Sequence, residues 1–131
     1  MKNKVMIKIC TDIKQSKRLI ELGIDMNTAD MCYHFIEISK TPLCLRWEKV
    51  HDDEKDNAIP AWSLAALLDL MPKIHGERPK LDTGRIQTEK YYVEYPYHES
   101  TKDDWYSTKL CDSAVDAAFE MVCWLKENGK I

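Results

Sequence analysis

Apolar residues recur along this chain in two periods, and the switches between them mark out the elements. Val5, Ile7 and Ile9 alternate with Met6 and Lys8, a pattern shared by a short strand and an extended leader. Thr11 or Asp12 can accept from the open amides of a following helix, and Gln15 stands three places after Asp12, as in a capping box. That helix is expected to run to about Leu22. Gly23 then takes the left-handed position after its end, and Ile24 supplies the apolar contact of a Schellman motif.

From Met31 the period becomes two, with Cys32, His34, Ile36 and Ile38 on one face and Tyr33, Phe35 and Glu37 on the other. Ser39, Lys40, Thr41 and Pro42 read as a turn. Leu43, Leu45 and Trp47 then alternate with Cys44, Arg46 and Glu48, which predicts an antiparallel hairpin. Lys49 to Asn57 is charged and reads as a solvated loop. Leu64, Leu67, Leu68 and Met71 return to helical spacing, with Ser63 as cap, Trp62 placed to staple against Leu67, and Pro72 as the stop. Pro60 is an alternative first helical residue.

Lys73 to Asp82, which contains Gly76 and Pro79, reads as a connection. Arg85 to Glu89 and Lys90 to Tyr97 have strand character, with Tyr91, Val93, Tyr95 and Tyr97 on one face and Pro96 marking an edge. Trp105, Ser107 and Lys109 alternate with Tyr106, Thr108 and Leu110 in a last strand. The terminal helix is capped by Asp112 or Ser113, is apolar from Ala114 to Leu125, and ends at Gly129. Its polar strip is only Asp116, Glu120 and Glu127, with Cys123 on the same side. So wide an apolar face must be covered from more than one direction. The expected architecture is a single α+β domain over residues 1–131, an antiparallel sheet of about four or five strands packed by about three helices in two layers.

Composition supports a folded core: 44% of the 131 residues are hydrophobic, and only four are glycine. The net charge of −3 is spread in alternating signs. A nucleic-acid binder needs a basic stripe to displace counterions, so this balance argues against one while leaving room for a local patch. Five widely spaced cysteines, Cys10, Cys32, Cys44, Cys111 and Cys123, fit buried thiols in a reducing compartment better than a disulfide framework. Met1 to Cys10 is too short an apolar run for a signal or a membrane span, so the expected location is cytoplasmic.

Several groupings carry chemistry in principle. His51, Asp52, Asp53, Glu54 and Asp56 are the densest set of oxygen and nitrogen ligands, but the glycine and terminal glutamate of an EF-hand are missing, and a solvated acidic loop explains them. Cys32 and His34 share a strand face as a nucleophile and base would, or as core packing would. No C-x-x-C pair, P-loop, dinucleotide turn, nucleophile elbow or H-E-x-x-H helix is present, and neither a cofactor nor a metal is expected. Lys14, Lys17 and Arg18 would form a positive face on the first helix, but no recognition helix follows it. Tyr91, Tyr92, Tyr95, Tyr97, Trp105 and Tyr106 concentrate aromatic surface in two strands, suited either to a binding face or to cross-strand packing within the sheet.

Pro60 to Pro72, reading PAWSLAALLDLMP, and Asp116 to Leu125, reading DAAFEMVCWL, resemble segments of small phage and mobile-element proteins of gut bacteria, in which a PAWSL helix precedes a terminal AAFEM and WL helix. The run from Thr11 to Gly23 fits the same picture. The resemblance implies an origin on such an element and brings no activity with it. The leading expectation is therefore a small accessory protein that binds another protein, with Tyr91, Tyr95, Tyr97 and Trp105 as the candidate face and room for a homodimer through unmatched apolar surface. Nucleic-acid association through Lys14, Lys17 and Arg18, and an enzyme using Cys32 or His34, are the alternatives.

Overall fold

The computed structural model describes residues 7–35, 42–51, 57–83, 90–96 and 106–131, with 42–44 described as backbone only. Among the described residues, three α-helices and five strands give the expected α+β fold, with the strands divided between two antiparallel sheets.

Helix α1 covers Ile13–Glu21 and starts at Asp12, whose carboxylate accepts from the Gln15 amide while Gln15 Oε1 accepts from the Asp12 amide, completing the capping box. Its end is the Schellman motif the sequence predicts: Ile24 N–H bonds Leu19 O, Gly23 N–H bonds Ile20 O, and Gly23 sits at φ +90°. A short 3-10 turn, Met26–Thr28, leads to β1, Met31–Phe35. The hairpin partner is β2, Pro42–Arg46, with Tyr33 opposite Leu45 and the register shifting between His34 and Phe35. Pro42 was expected in the turn but pairs opposite Phe35. Residues 36–41, which hold Ile36, Ile38 and the rest of that turn, lie outside the described residues.

Pro60 does not open a helix. It belongs to β3, Ala58–Ala61, which pairs with β1 on the side opposite β2, Cys32 facing Pro60 and Tyr33 facing Ile59. An edge strand tolerates a residue with no N–H to donate, which is why proline sits there without breaking the ladder. Helix α2, Leu64–Asp69, then begins at Ser63, which caps it through the Ala66 amide at 3.2 Å.

Lys73 to Asp82 is more than a connection. Ile74 and Glu77 exchange both backbone hydrogen bonds around His75 and Gly76, which lie at φ +51° and +79°, the positive values that a two-residue type I′ turn requires. Lys80–Thr83 is β4 and pairs antiparallel with β5, Tyr91–Glu94. The predicted strand at Arg85 to Glu89 lies outside the described residues. On the far side of β5, the segment Tyr106–Cys111 follows as isolated bridges, Glu94 to Ser107 and Tyr91 to Cys111. Thr108 spoils a regular ladder there, because its hydroxyl, rather than a carbonyl, accepts from the Val93 amide.

Helix α3, Ala114–Glu127, is capped by Ser113 and closed by Gly129 at φ +68°, again with both Schellman bonds. It packs on β5, α2 and β4, the many-sided cover that its wide apolar face demands. The main core lies around it: Leu19 of α1, Trp62, Leu67, Met71, Val93 and Tyr95 pack with Val115, Met121, Val122 and Leu125. A second, smaller cluster under the three-stranded sheet holds Cys10, Met31 and Ala61, with Tyr33 and Leu45 half-buried against it. Residues 7–9 form no strand, and backbone pairing of this region starts at Cys10, which bridges to Ser63.

Candidate functional site

The chain crosses itself where Cys10–Ser16 meets Trp62–Ser63, and the meeting is polar. Thr11 Oγ1 lies 2.8 Å from Ser16 Oγ and accepts from the Trp62 amide at 3.1 Å, while the Thr11 amide donates to Trp62 O at 2.9 Å. Tyr33 donates its phenolic hydrogen to Thr11 O, and Trp62 Nε1 donates to Thr28 Oγ1. Asp30 accepts from the Ser63 amide and the Ser63 hydroxyl, which ties the start of α2 to the loop before β1. Burial raises the Cys10 thiol above its usual range, and burial followed by the Cys10 contact raises the Tyr33 phenol. Both shifts favour the protonated forms, which can donate hydrogen bonds within the seam.

Beside the seam opens a cleft of about 580 Å³. Leu64 and Ala65 from the first turn of α2, Ala114 and Val115 from that of α3, and Tyr91 of β5 form its walls. Ile7, Lys8 and Ile9 border it on one side, and Trp47, just after β2, borders it on another. Ile7 is 85% exposed, Trp47 68% and Ile9 44%. Single exposed apolar side chains are ordinary, but three around one apolar cleft are not. No sequence period pointed to this convergence, since its residues come from widely separated parts of the chain.

Lys8 also borders a second, polar cleft, with Asp12 and Gln15 of α1, Asp116 and Glu120 of α3, and Lys90, Lys109 and Asp112. Its charges are paired: Lys8 with Asp116 and Asp12, Lys90 with Asp112, and Lys109 with Glu120.

The predicted aromatic face is distributed differently. Tyr95 is 2% exposed, donates to Pro72 O at 2.8 Å, and is pushed up to about 12 by burial. Tyr91 packs half-buried on the main core and borders the apolar cleft. Tyr97 and Trp105 lie outside the described residues. Tyr106 stacks on Trp124 with ring centroids 4.4 Å apart, an aromatic pair between the broken strand and α3.

On α1, Arg18 reaches Glu21 and Glu127, each at 3.6 Å, so its charge is shared within the protein, while Lys14 and Lys17 enter no ion pair among the described residues. Cys32 and His34 do occupy alternate positions of β1, but Cys32 is 2% exposed. Of the acidic run, His51 is exposed and lies 3.7 Å from Glu48, and Asp52, Asp53, Glu54 and Asp56 lie outside the described residues. Among the described residues no three side chains group as metal ligands. Cys10, Cys32, Cys111 and Cys123 are thiols and all four are buried, with burial lifting Cys123 to about 12. None of the described helices is long and apolar enough to cross a membrane.

Comparison with protein-family models, with curated proteins and with solved structures finds no match, so function has to be argued from this chain's own geometry.

Proposed function

We propose that this protein acts by binding another protein, and that the apolar cleft between α2, α3 and Trp47 receives an apolar side chain of that partner. The observation that carries this reading is the exposure of Ile7 and Trp47 around the cleft as well as the apolar walls within it. A small ligand filling the cleft would cover only part of these two exposed side chains. A protein surface covers cleft and rim together, and tryptophan is the side chain that most often anchors such contacts. The candidate face thus moves from the tyrosine strand to the cleft, with Tyr91 common to both. The resemblance to mobile-element proteins fits an accessory role of this kind.

The test is a photo-crosslinking residue at position 47, with Lys17 on α1 as the control site, in cells that make the protein. The expected result is one discrete crosslinked protein from position 47, absent from position 17 and lost when Ala65→Glu puts a charge into the cleft. Ala65 is exposed in the first turn of α2, where a carboxylate is favourable, so that variant keeps the fold. Identical crosslinking from both sites, or a product indifferent to Ala65→Glu, rules the cleft out. Nucleic-acid association and an enzyme built on Cys32 or His34 are the other readings, and no described feature favours either.

A further inference from the structure

Segment Ile7–Ile9 has no regular secondary structure, and its side chains divide between the two clefts. Ile7 and Ile9 stand at the apolar one, while Lys8 borders both and pairs with the carboxylates of the polar one. Among the described residues, backbone pairing anchors this part of the chain from Cys10 onward, through the bridge to Ser63 and the Thr11 amide on Trp62 O. Ile7 is too exposed to hold the segment by apolar burial, since the stabilisation scales with the area removed from water.

Among the described residues, the hydrogen bonds that tie the segment down are those of the Lys8 ammonium. Lys8 Nζ lies 2.8 Å from Asp116 Oδ1 and 3.1 Å from Asp12 Oδ2. Both acceptors are fixed independently of Lys8. Asp12 is the N-cap of α1 and is engaged in the capping box, and Gln15 Nε2 from that same box donates to Asp116 Oδ1 at 2.8 Å. Asp116 itself stands in the first turn of α3, its amide held by Ser113 Oγ. One partly buried ammonium therefore bolts segment 7–9 to two helices that are already in place.

We propose that Lys8 is a latch: clamped by Asp116 and Asp12 it holds Ile7–Ile9 as one wall of the apolar cleft, and its release swings that wall away about Cys10 and opens the cleft. The use of the latch rests on the binding role proposed above, but its motion does not, because it is read on the protein alone. A partner engaging the cleft then meets either a walled or an open site, according to whether Lys8 is clamped.

Backbone 15N relaxation on the full-length protein tests this. In the wild type the Lys8 and Ile9 amides are expected near the rigid order parameter of about 0.85, and in Lys8→Gln below about 0.6. Lys8→Arg should restore them, because the charge and reach are kept. Asp116→Asn, which leaves the Asp12 contact, should loosen the same amides less, and the double variant should match Lys8→Gln alone, because Asp116 acts on the segment through Lys8. Amides of α3 report whether the fold is intact and should not move. The latch is overturned if Lys8 and Ile9 are already mobile in the wild type, or if they stay rigid in both Lys8→Gln and Asp116→Asn. Failure of the crosslinking experiment with these relaxation results intact would remove the binding role and leave the latch.

Discussion

Met121 and Met31 are both sealed from solvent, yet their surroundings differ. Met121 sits on α3 in the main core, among side chains contributed by all three helices and by β5. Met31, on β1 of the three-stranded sheet, packs beside Cys10 and Ala61, and among the described residues the apolar side chains that join this cluster are half-buried Tyr33 and Leu45. The first region is held by apolar packing. In the second, apolar burial is small, and hydrogen bonds from Thr11, Ser16, Tyr33, Trp62, Asp30 and Ser63 fix the chain crossing. A region fixed by hydrogen bonds depends on donors and acceptors meeting, whereas a packed core depends on volume being filled, so the two should fail to different substitutions.

The largest effect is expected from Met121→Ala, about 2–5 kcal/mol of unfolding free energy and toward the upper end, because enclosed neighbours cannot collapse into the cavity. Met31→Ala should lie toward the lower end, since half-exposed Tyr33 and Leu45 can move inward. Denaturant titrations of the two variants compare them directly, and equal costs would mean that the small cluster is as enclosed as the large one. Next comes Thr11→Val, which keeps shape but strands the buried Trp62 amide and the Ser16 hydroxyl. It should cost about 1–3 kcal/mol, where the same loss of a hydroxyl on the surface would cost almost nothing.

A smaller effect is expected from pH. Burial works against the Asp116 carboxylate, but the hydrogen bonds from Lys8, Gln15 and Ser113 prevail and hold it below its ordinary 3.8. Burial likewise opposes the Lys8 charge, and Asp116 and Asp12 still hold it above 10.5. A lowered carboxylate stabilises above its unfolded value and loses that contribution as pH falls through the folded one. A raised amine stabilises below its unfolded value and loses it as pH rises through the folded one. The Lys8–Asp116 pair should thus be at full strength between about 3.8 and 10.5, within a cleft that Asp12, Glu120, Asp112, Lys90 and Lys109 also line. Methyl or amide shifts of Ile7 and Ile9 followed into acid should move only below the lower limit. Smallest of all, Trp47→Ala should change stability by no more than about 0.5 kcal/mol, because Trp47 packs little of its surface. A much larger loss would place it in the fold rather than on a binding face.

Local rules were enough wherever an element is decided by its own residues. Asp12 with Gln15, Ser63, Ser113, Gly23 and Gly129 set the helix limits, because a cap is a hydrogen bond or a backbone angle within a few residues of its cause. The apolar period of α3 foretold its many-sided burial, and the alternation from Met31 foretold the hairpin. The alternative helix start at Pro60 fell to the Ser63 cap, and sequence could not choose between them, since whether a proline opens a helix or sits in an edge strand depends on which strand lies beside it, and β1 is far away in sequence. The turn at His75 and Gly76 and strand β4 were hidden for a related reason: four residues with little alternation become a strand only when β5 offers a ladder.

The same distinction separates the sites. Tyr91 and Tyr95 announced aromatic surface, but only packing against α3 decided that Tyr95 faces inward. The cleft and the Lys8 latch left no mark in the sequence, because residues 8 and 116 become neighbours only once α1 and α3 are docked. Sequence by itself determined where most elements begin and end and that they make an α+β fold, since those are short-range matters of period and capping. Tertiary structure alone decided which apolar residues remain outside and which charges meet, since those depend on contacts between segments that no local pattern encodes.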